Sequence, residues 1–212
     1  MILNNSKETK KNVITLSGTI SGKVTSNFVN NEEIYTFQIK SERTTGKLDL
    51  INVHLQKKLT IDINPLWKQM PIGIIGEIRT CPNTSEIIVF ANELSLYHMK
   101  NAVKLIGTIS KEPLIKQTYR GKIISEFEVE VVDTSKKVSY FIPVVGFHNI
   151  IAMADNIKLR TLVEIQGRLE SRVIHINKDD IDLHEVLHDV ATDSLRIIDN
   201  SHKKEDKDNE QR

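Results

Sequence analysis

His184-Glu185-Val186-Leu187-His188 has the most recognisable chemical spacing in the chain. This is the H-E-x-x-H pattern of zinc peptidases, in which two histidines one helical turn apart ligate the metal and the glutamate activates its water. That chemistry requires a helix and a third protein ligand. The pattern lies 24 residues before Arg212 and no Gly-x-x-His follows His188, so His202 or Glu205 of a polar tail would have to complete the site. The other five histidines, His54 and His148 among them, show no ligand spacing. No phosphate-cradling loop, nucleophile elbow or pair of carboxylates set for acid–base work is present either. The expectation is a protein that is not an enzyme and has neither metal nor cofactor.

The elements that would carry any site are β-strands. Among 212 residues there are 29 Ile and 16 Val but only 5 Ala. β-branched side chains stiffen in a helix and pack well on a pleated sheet, whereas Ala is the best helix former. Nine Gly and five Pro exclude collagen-like and low-complexity classes. A lone cysteine, Cys81, cannot form an internal disulfide. The N-terminus lacks the apolar core of a signal peptide, and no apolar run approaches the ~20 residues of a helical membrane span. The reading is a soluble cytoplasmic protein.

The chain also repeats itself. Asn12-Val13-Ile14-Thr15-Leu16-Ser17-Gly18-Thr19-Ile20-Ser21 returns as Asn101-Ala102-Val103-Lys104-Leu105-Ile106-Gly107-Thr108-Ile109-Ser110, 89 residues later. At an offset of 91, Asp49–Val53 matches Tyr140–Val144 and Ile74–Ile78 matches Ile165–Leu169. Ala91-Asn92-Glu93 before Leu94 resembles Ala191-Thr192-Asp193-Ser194 before Leu195. Two related domains follow, 12–98 and 101–199, between a flexible N-terminus (1–11) and a disordered tail (200–212).

In the second domain, Val103–Ile109 alternates about Gly107, and Phe127, Val129 and Val131 alternate with Glu126, Glu128 and Glu130. Gly121 marks a turn. Tyr140–Val145 is a third strand, Asn149–Ile157 a helical window, Leu162–Leu169 a fourth strand, and a last strand ends near Ile197. The first domain keeps this order, with a helix near Leu59–Met70 that Pro65 shortens or breaks. Three strands, a helix and two strands fit a five-stranded barrel of the OB type. The fold class is all-β with one short helix per domain: two tandem OB-fold barrels plus the charged tail. The repeat also puts His184–His188 where the last hairpin enters its closing strand. There both histidines share one face and Glu185 points away, which rules against the zinc reading.

Charge follows the same division. The total of +1 resolves into +2 over 1–99, +4 over 100–172, −5 over 173–199 and zero over 200–212. A neutral total therefore hides a basic central stretch.

Val103–Pro113 resembles the opening strand and turn of the bacterial single-stranded DNA-binding proteins. Lys116–Lys122 resembles their first hairpin, Tyr140–Val145 their third strand, Val163–Arg172 their fourth, and Ala191–Leu195 their closing strand. The likeness covers about 100 residues, and the whole chain is similar to members of that family with two OB folds in one polypeptide. It implies a protein that coats single-stranded DNA with little sequence preference, with RNA as an alternative ligand. It also implies an accessory role in replication, recombination, repair or plasmid or phage DNA transfer. By analogy the assembly is a homodimer carrying four OB folds. Phe141 and Phe147 fall where the family places stacking aromatics, and their even spacing gives them one face if the strand continues that far. Tyr119 and Tyr140 are further candidates. Lys104, Lys111, Lys116, Arg120, Lys122, Arg168 and Arg172 are candidates for phosphate contacts.

Several departures qualify this expectation. Aromatics make up only 5% of the chain. Leu50 and Gln56 replace Phe141 and Phe147 in the first domain, which leaves weak binding or subunit pairing as its role. Glu126, Glu128 and Glu130 would repel phosphate if they face the groove. The tail lacks the acidic Pro-Phe tip through which housekeeping members recruit partners. The alternative reading is an OB module for protein assembly in a replication or conjugation complex.

Overall fold

The computed structural model describes residues 11–29, 31–59, 71–81, 84–118, 121–178 and 181–198. The first unit comprises β1 (Asn12–Val29), β2 (Glu32–Glu42), β3 (Leu48–Gln56), β4 (Pro71–Thr80) and β5 (Ile87–Ser95). The second comprises β6 (Ala102–Gln117), β7 (Ile123–Asp133), β8 (Val138–Gly146), the helix α1 (His148–Met153), β9 (Leu162–Lys178) and β10 (Ile181–Ile197). In the first unit β1 pairs with β2, β2 with β3, β3 in parallel with β5, β5 with β4, and β4 again with β1. The second closes in the same order through β6, β7, β8, β10 and β9. Each ring is a closed five-stranded barrel with the strand order of an OB fold.

Alternation builds the cores. Asp49, Ile51, Val53 and Leu55 of β3 point inward, as do Phe127, Val129 and Val131 of β7. The buried apolar side chains of both units join in one continuous cluster.

Two repeated devices close the rings. Strand β1 pairs with β4 up to Thr19 and with β2 from Thr19 onward, so it turns a corner there. At that corner a Cβ on Gly18 would lie 2.1 Å from the Lys40 carbonyl oxygen, and one on Gly107 would lie 2.3 Å from that of Glu130. Only glycine admits so close a backbone. The second device is an asparagine. Asn12 donates to Ile78 O (2.7 Å) and accepts from Ile78 N (3.0 Å), and Asn101 does the same to Leu169 (2.8 and 3.1 Å).

Three sequence expectations are revised. The fourth strand of the second unit runs past Leu169 to Lys178, because β9 and β10 extend beyond the barrel as a mutually paired hairpin. Ala91 corresponds to Thr192 and not to Ala191: Gly76 opposes Ala91 whereas Gly167 opposes Thr192, each next to a bulge. Strand β8 stops at Gly146, so Phe147 is the residue capping α1 and the even-spacing argument that paired it with Phe141 fails. Most of the helical window at 59–70, the disordered tail and all but Lys11 of the flexible N-terminus lie outside the described residues. Among those described, no helix is long and apolar enough to cross a membrane.

The units meet along β1 and β6, antiparallel from Asn12↔Leu105 to Thr15↔Ala102. The pair Ile14↔Val103 joins residues equivalent by the repeat, so an approximate twofold axis passes through it. Flanking contacts obey that axis. Phe141 N–H donates to Thr80 Oγ1 (3.3 Å), and its counterpart Leu50 N–H donates to Ser171 Oγ (3.1 Å). The charges around these bonds are exchanged. In β4, Glu77 pairs with Arg79 of its own strand and with Lys136 across the seam (3.0 Å). In β9, Glu170 pairs with Arg168 of its own strand and with Arg43 across the seam (2.5 Å). Arg43 also forks onto Asp49 (Nε–Oδ2 2.7 Å), which is 1% exposed and accepts from Ser171 N (2.7 Å).

Candidate nucleic-acid interface

The outer face of β7–β8 is built by cross-strand pairs: Glu126 opposite Val145, Glu128 opposite Pro143 and Glu130 opposite Phe141. Phe141 is 46% exposed, a large apolar ring left in water on a sheet whose inward residues are fully packed. Tyr140 points the other way, as strand parity requires, and is 8% exposed within the core. Its ring presents no face for stacking, which removes it from the candidates. The Arg79 guanidinium lies 6.0 Å from that ring and 3.3 Å from the Phe90 ring of the first unit.

Beside Phe141's strand lies a groove of about 230 Å³ between the β6–β7 hairpin and β9–β10. Lys111, Lys116 and Arg172 line it, and so do Glu126, Glu128 and Asp189. The basic groove expected from the sequence is therefore electrically balanced. Lys116 pairs with Glu126 (2.5 Å), and Arg172 pairs with both Glu126 (3.0 Å) and Asp189 (2.5 Å). Burial works to raise the Glu126 carboxyl, but Lys116 and Arg172 outweigh it and hold it below its ordinary value. At Asp189 burial prevails and pushes the carboxyl up against the pull of Arg172.

The remaining candidates scatter. Lys122 stands 4.0 Å above the half-buried Phe147 ring, a cation on the face a base would use. Lys104 pairs with Glu164, and Arg168 with Glu170 and Asp193. Tyr119 and Arg120 lie outside the described residues. The structure thus brings Lys111, Lys116 and Arg172 into one groove and sets Phe141 on the adjoining face. The H-E-x-x-H residues lie in β10, not on a helix, and His188 Nε2 makes a 2.6 Å hydrogen bond with Leu50 O of the first unit.

Residues 100–193 match the Single-strand binding protein family. The match lies within the second unit. No curated protein matches the sequence. Among solved structures, a deletion mutant of the single-stranded DNA binding protein from Thermus aquaticus superposes with a TM-score of 0.67 at 15% identity. The match covers 89% of this chain and 95% of that one. The wild-type Thermus aquaticus protein gives 0.65 at 15% identity, covering 89% and 93%. At such identity the likeness is one of fold, and it spans both barrels.

Three features escaped sequence reasoning. The cations of the groove are already paired, the Phe141 backbone is tied to Thr80 of the first unit, and the two units carry different outer faces. At the positions of Glu126, Glu128 and Glu130 the first unit has Thr36, Gln38 and Lys40, paired with His54, Asn52 and Leu50. Gln38 Nε2 donates to Asn52 Oδ1 (2.9 Å). The repeat carried this last signal, since aligning β2 with β7 shows amide and lysine in place of glutamates.

Proposed function

We propose that the chain binds single-stranded DNA, with RNA as an alternative ligand, through the β7–β8 face and adjoining groove of its second unit, without catalysis. The observation that carries the reading is the half-exposed Phe141 ring on β8, the strand whose Pro143 and Val144 line the groove of Lys111, Lys116 and Arg172, within the stretch that matches the single-strand binding family. A base stacked on one aromatic ring contributes about 1–3 kcal/mol, and cations meeting the backbone make binding salt-dependent. The first unit, with an amide-and-lysine face in place of three glutamates, adds a second, less repulsive surface. A homodimer would present four OB folds, and light scattering separates it from a monomer. Such a binder serves replication, recombination, repair or DNA transfer as an accessory protein.

Fluorescence anisotropy with oligo-dT tests the reading. Binding should weaken as salt rises, and Phe141→Ala should weaken it roughly 5- to 150-fold, as expected for one lost stack. Absence of binding at low salt would overturn it. The balanced groove favours one second reading, an OB module for protein assembly. Oligo-dT affinity unaffected by Phe141→Ala together with Phe147→Ala would point there.

A further inference from the structure

Glu126 touches two cations that come from different strands. Its Oε2 lies 2.5 Å from Lys116 Nζ on β6, and its Oε1 lies 3.0 Å from Arg172 Nη1 on β9. The other carboxylates of the groove do not share this position. Asp189 holds the opposite side of Arg172 through Nε, and Glu128 accepts from Ser110 Oγ (2.9 Å). A phosphodiester offers the same pattern: two anionic oxygens on one centre, one negative charge, and a preference for a guanidinium fork beside an ammonium. We propose that the point between Lys116 and Arg172 is a phosphate site, held in the free chain by the Glu126 carboxylate, which nucleic acid must displace. This rests on the binding proposed above and says how that binding is tuned.

Both cations remain accessible to a ligand: the Lys116 side chain is 48% exposed and that of Arg172 is 36% exposed. The carboxylate beside them stays ionised, since the two cations hold it below its ordinary value despite burial, so it competes as an anion. Displacing it has a thermodynamic signature. Ordinarily each phosphate neutralised releases counterions and steepens the salt dependence by about 0.7 in the logarithmic slope for a single strand. A carboxylate freed in exchange gathers a counterion of its own, which cancels part of that gain. Lys116 and Arg172 should therefore add less to the slope than free cations would. The first unit has Thr36 at the equivalent position and lacks this internal competitor.

The test is Glu126→Gln in the full chain, titrated with oligo-dT across a salt series. Removing one negative charge from beside a bound phosphate should tighten binding roughly three- to tenfold at low salt, and the slope should steepen by up to about 0.7. Adding Lys116→Met to that variant should abolish most of the gain. Glu126→Thr, the residue the first unit uses, provides a second substitution if the amide disturbs the fold. If the wild type binds and both variants bind equally or more weakly with unchanged slope, the inference falls and the binding proposal stands. If neither wild type nor variants bind at low salt, both fall.

Discussion

Asn101 holds one unit together with a single side chain, and Asn12 does the same for the other. Each amide donates to a carbonyl and accepts from the N–H of the same residue, Leu169 or Ile78. An Ala there would strand two partly buried backbone groups, at about 1–3 kcal/mol. Asn101→Ala should accordingly lower the unfolding free energy by that amount, read as a lower denaturant midpoint at an unchanged m-value, and restoration by Gln would argue against this geometry. The repeat showed both asparagines at its start but not their role, because a hydrogen bond 68 residues away leaves no local pattern. Phe141 could be read as outward from the parity of Tyr140–Val145. Phe147 could not be placed, since the end of β8 depends on Gly146, whose missing Cβ makes room for Ile150 of α1.

At the scale of the element, the β7–β8 hairpin depends on Asp133. Its Oδ1 accepts from Ser135 N, Ser135 Oγ and Lys136 N, and its Oδ2 lies 2.6 Å from Lys136 Nζ. Lys136, then Ser135, holds this carboxyl far below the ordinary 3.8. A depressed folded-state pKa means stability that is present above the unfolded value and lost as pH falls through the folded one. Asp133→Asn should thus cost about 1 kcal/mol, or 2–4 °C in Tm, at neutral pH. The gap to wild type should stay constant down to about pH 4 and close in stronger acid. A gap independent of pH would mean that the turn hydrogen bonds alone matter. Strand order and the helix after β8 were legible because each inward face is apolar at period two. The length of β9–β10 was not, because their outer residues are paired between these two strands and not with the barrel's other strands in the register described.

At the scale of the molecule, the seam joins two barrels by a strand pair and two charge-exchanged clusters. Arg43 is the hinge pin of one cluster, bonded to Asp49, Glu170 and the Ser171 carbonyl. Its loss leaves Asp49 buried without its cation, a change that costs about 3–5 kcal/mol. Arg43→Ala should lower overall stability by that order and split calorimetric unfolding into two transitions. A single unshifted transition would show that the β1–β6 pairing alone couples the units. Sequence reasoning expected tandem OB folds, but not that they touch. Arg43 and Asp49 are six residues apart in sequence, but Glu170 and His188 reach Arg43 and Leu50 from 127 and 138 residues away.

The axis through Ile14 and Val103 has a consequence for any ligand with a direction. Rotation by half a turn reverses the sense in which a path runs over the equivalent face. A polynucleotide taking the short route across the axis would therefore meet one barrel reading 5′ to 3′ and the other reading 3′ to 5′. To keep one sense on both, it must travel around the outside of the pair, as thread winds on a spool. An oligonucleotide read in the same sense by both barrels would thus need a length set by the circumference of the molecule and not by the distance between its faces.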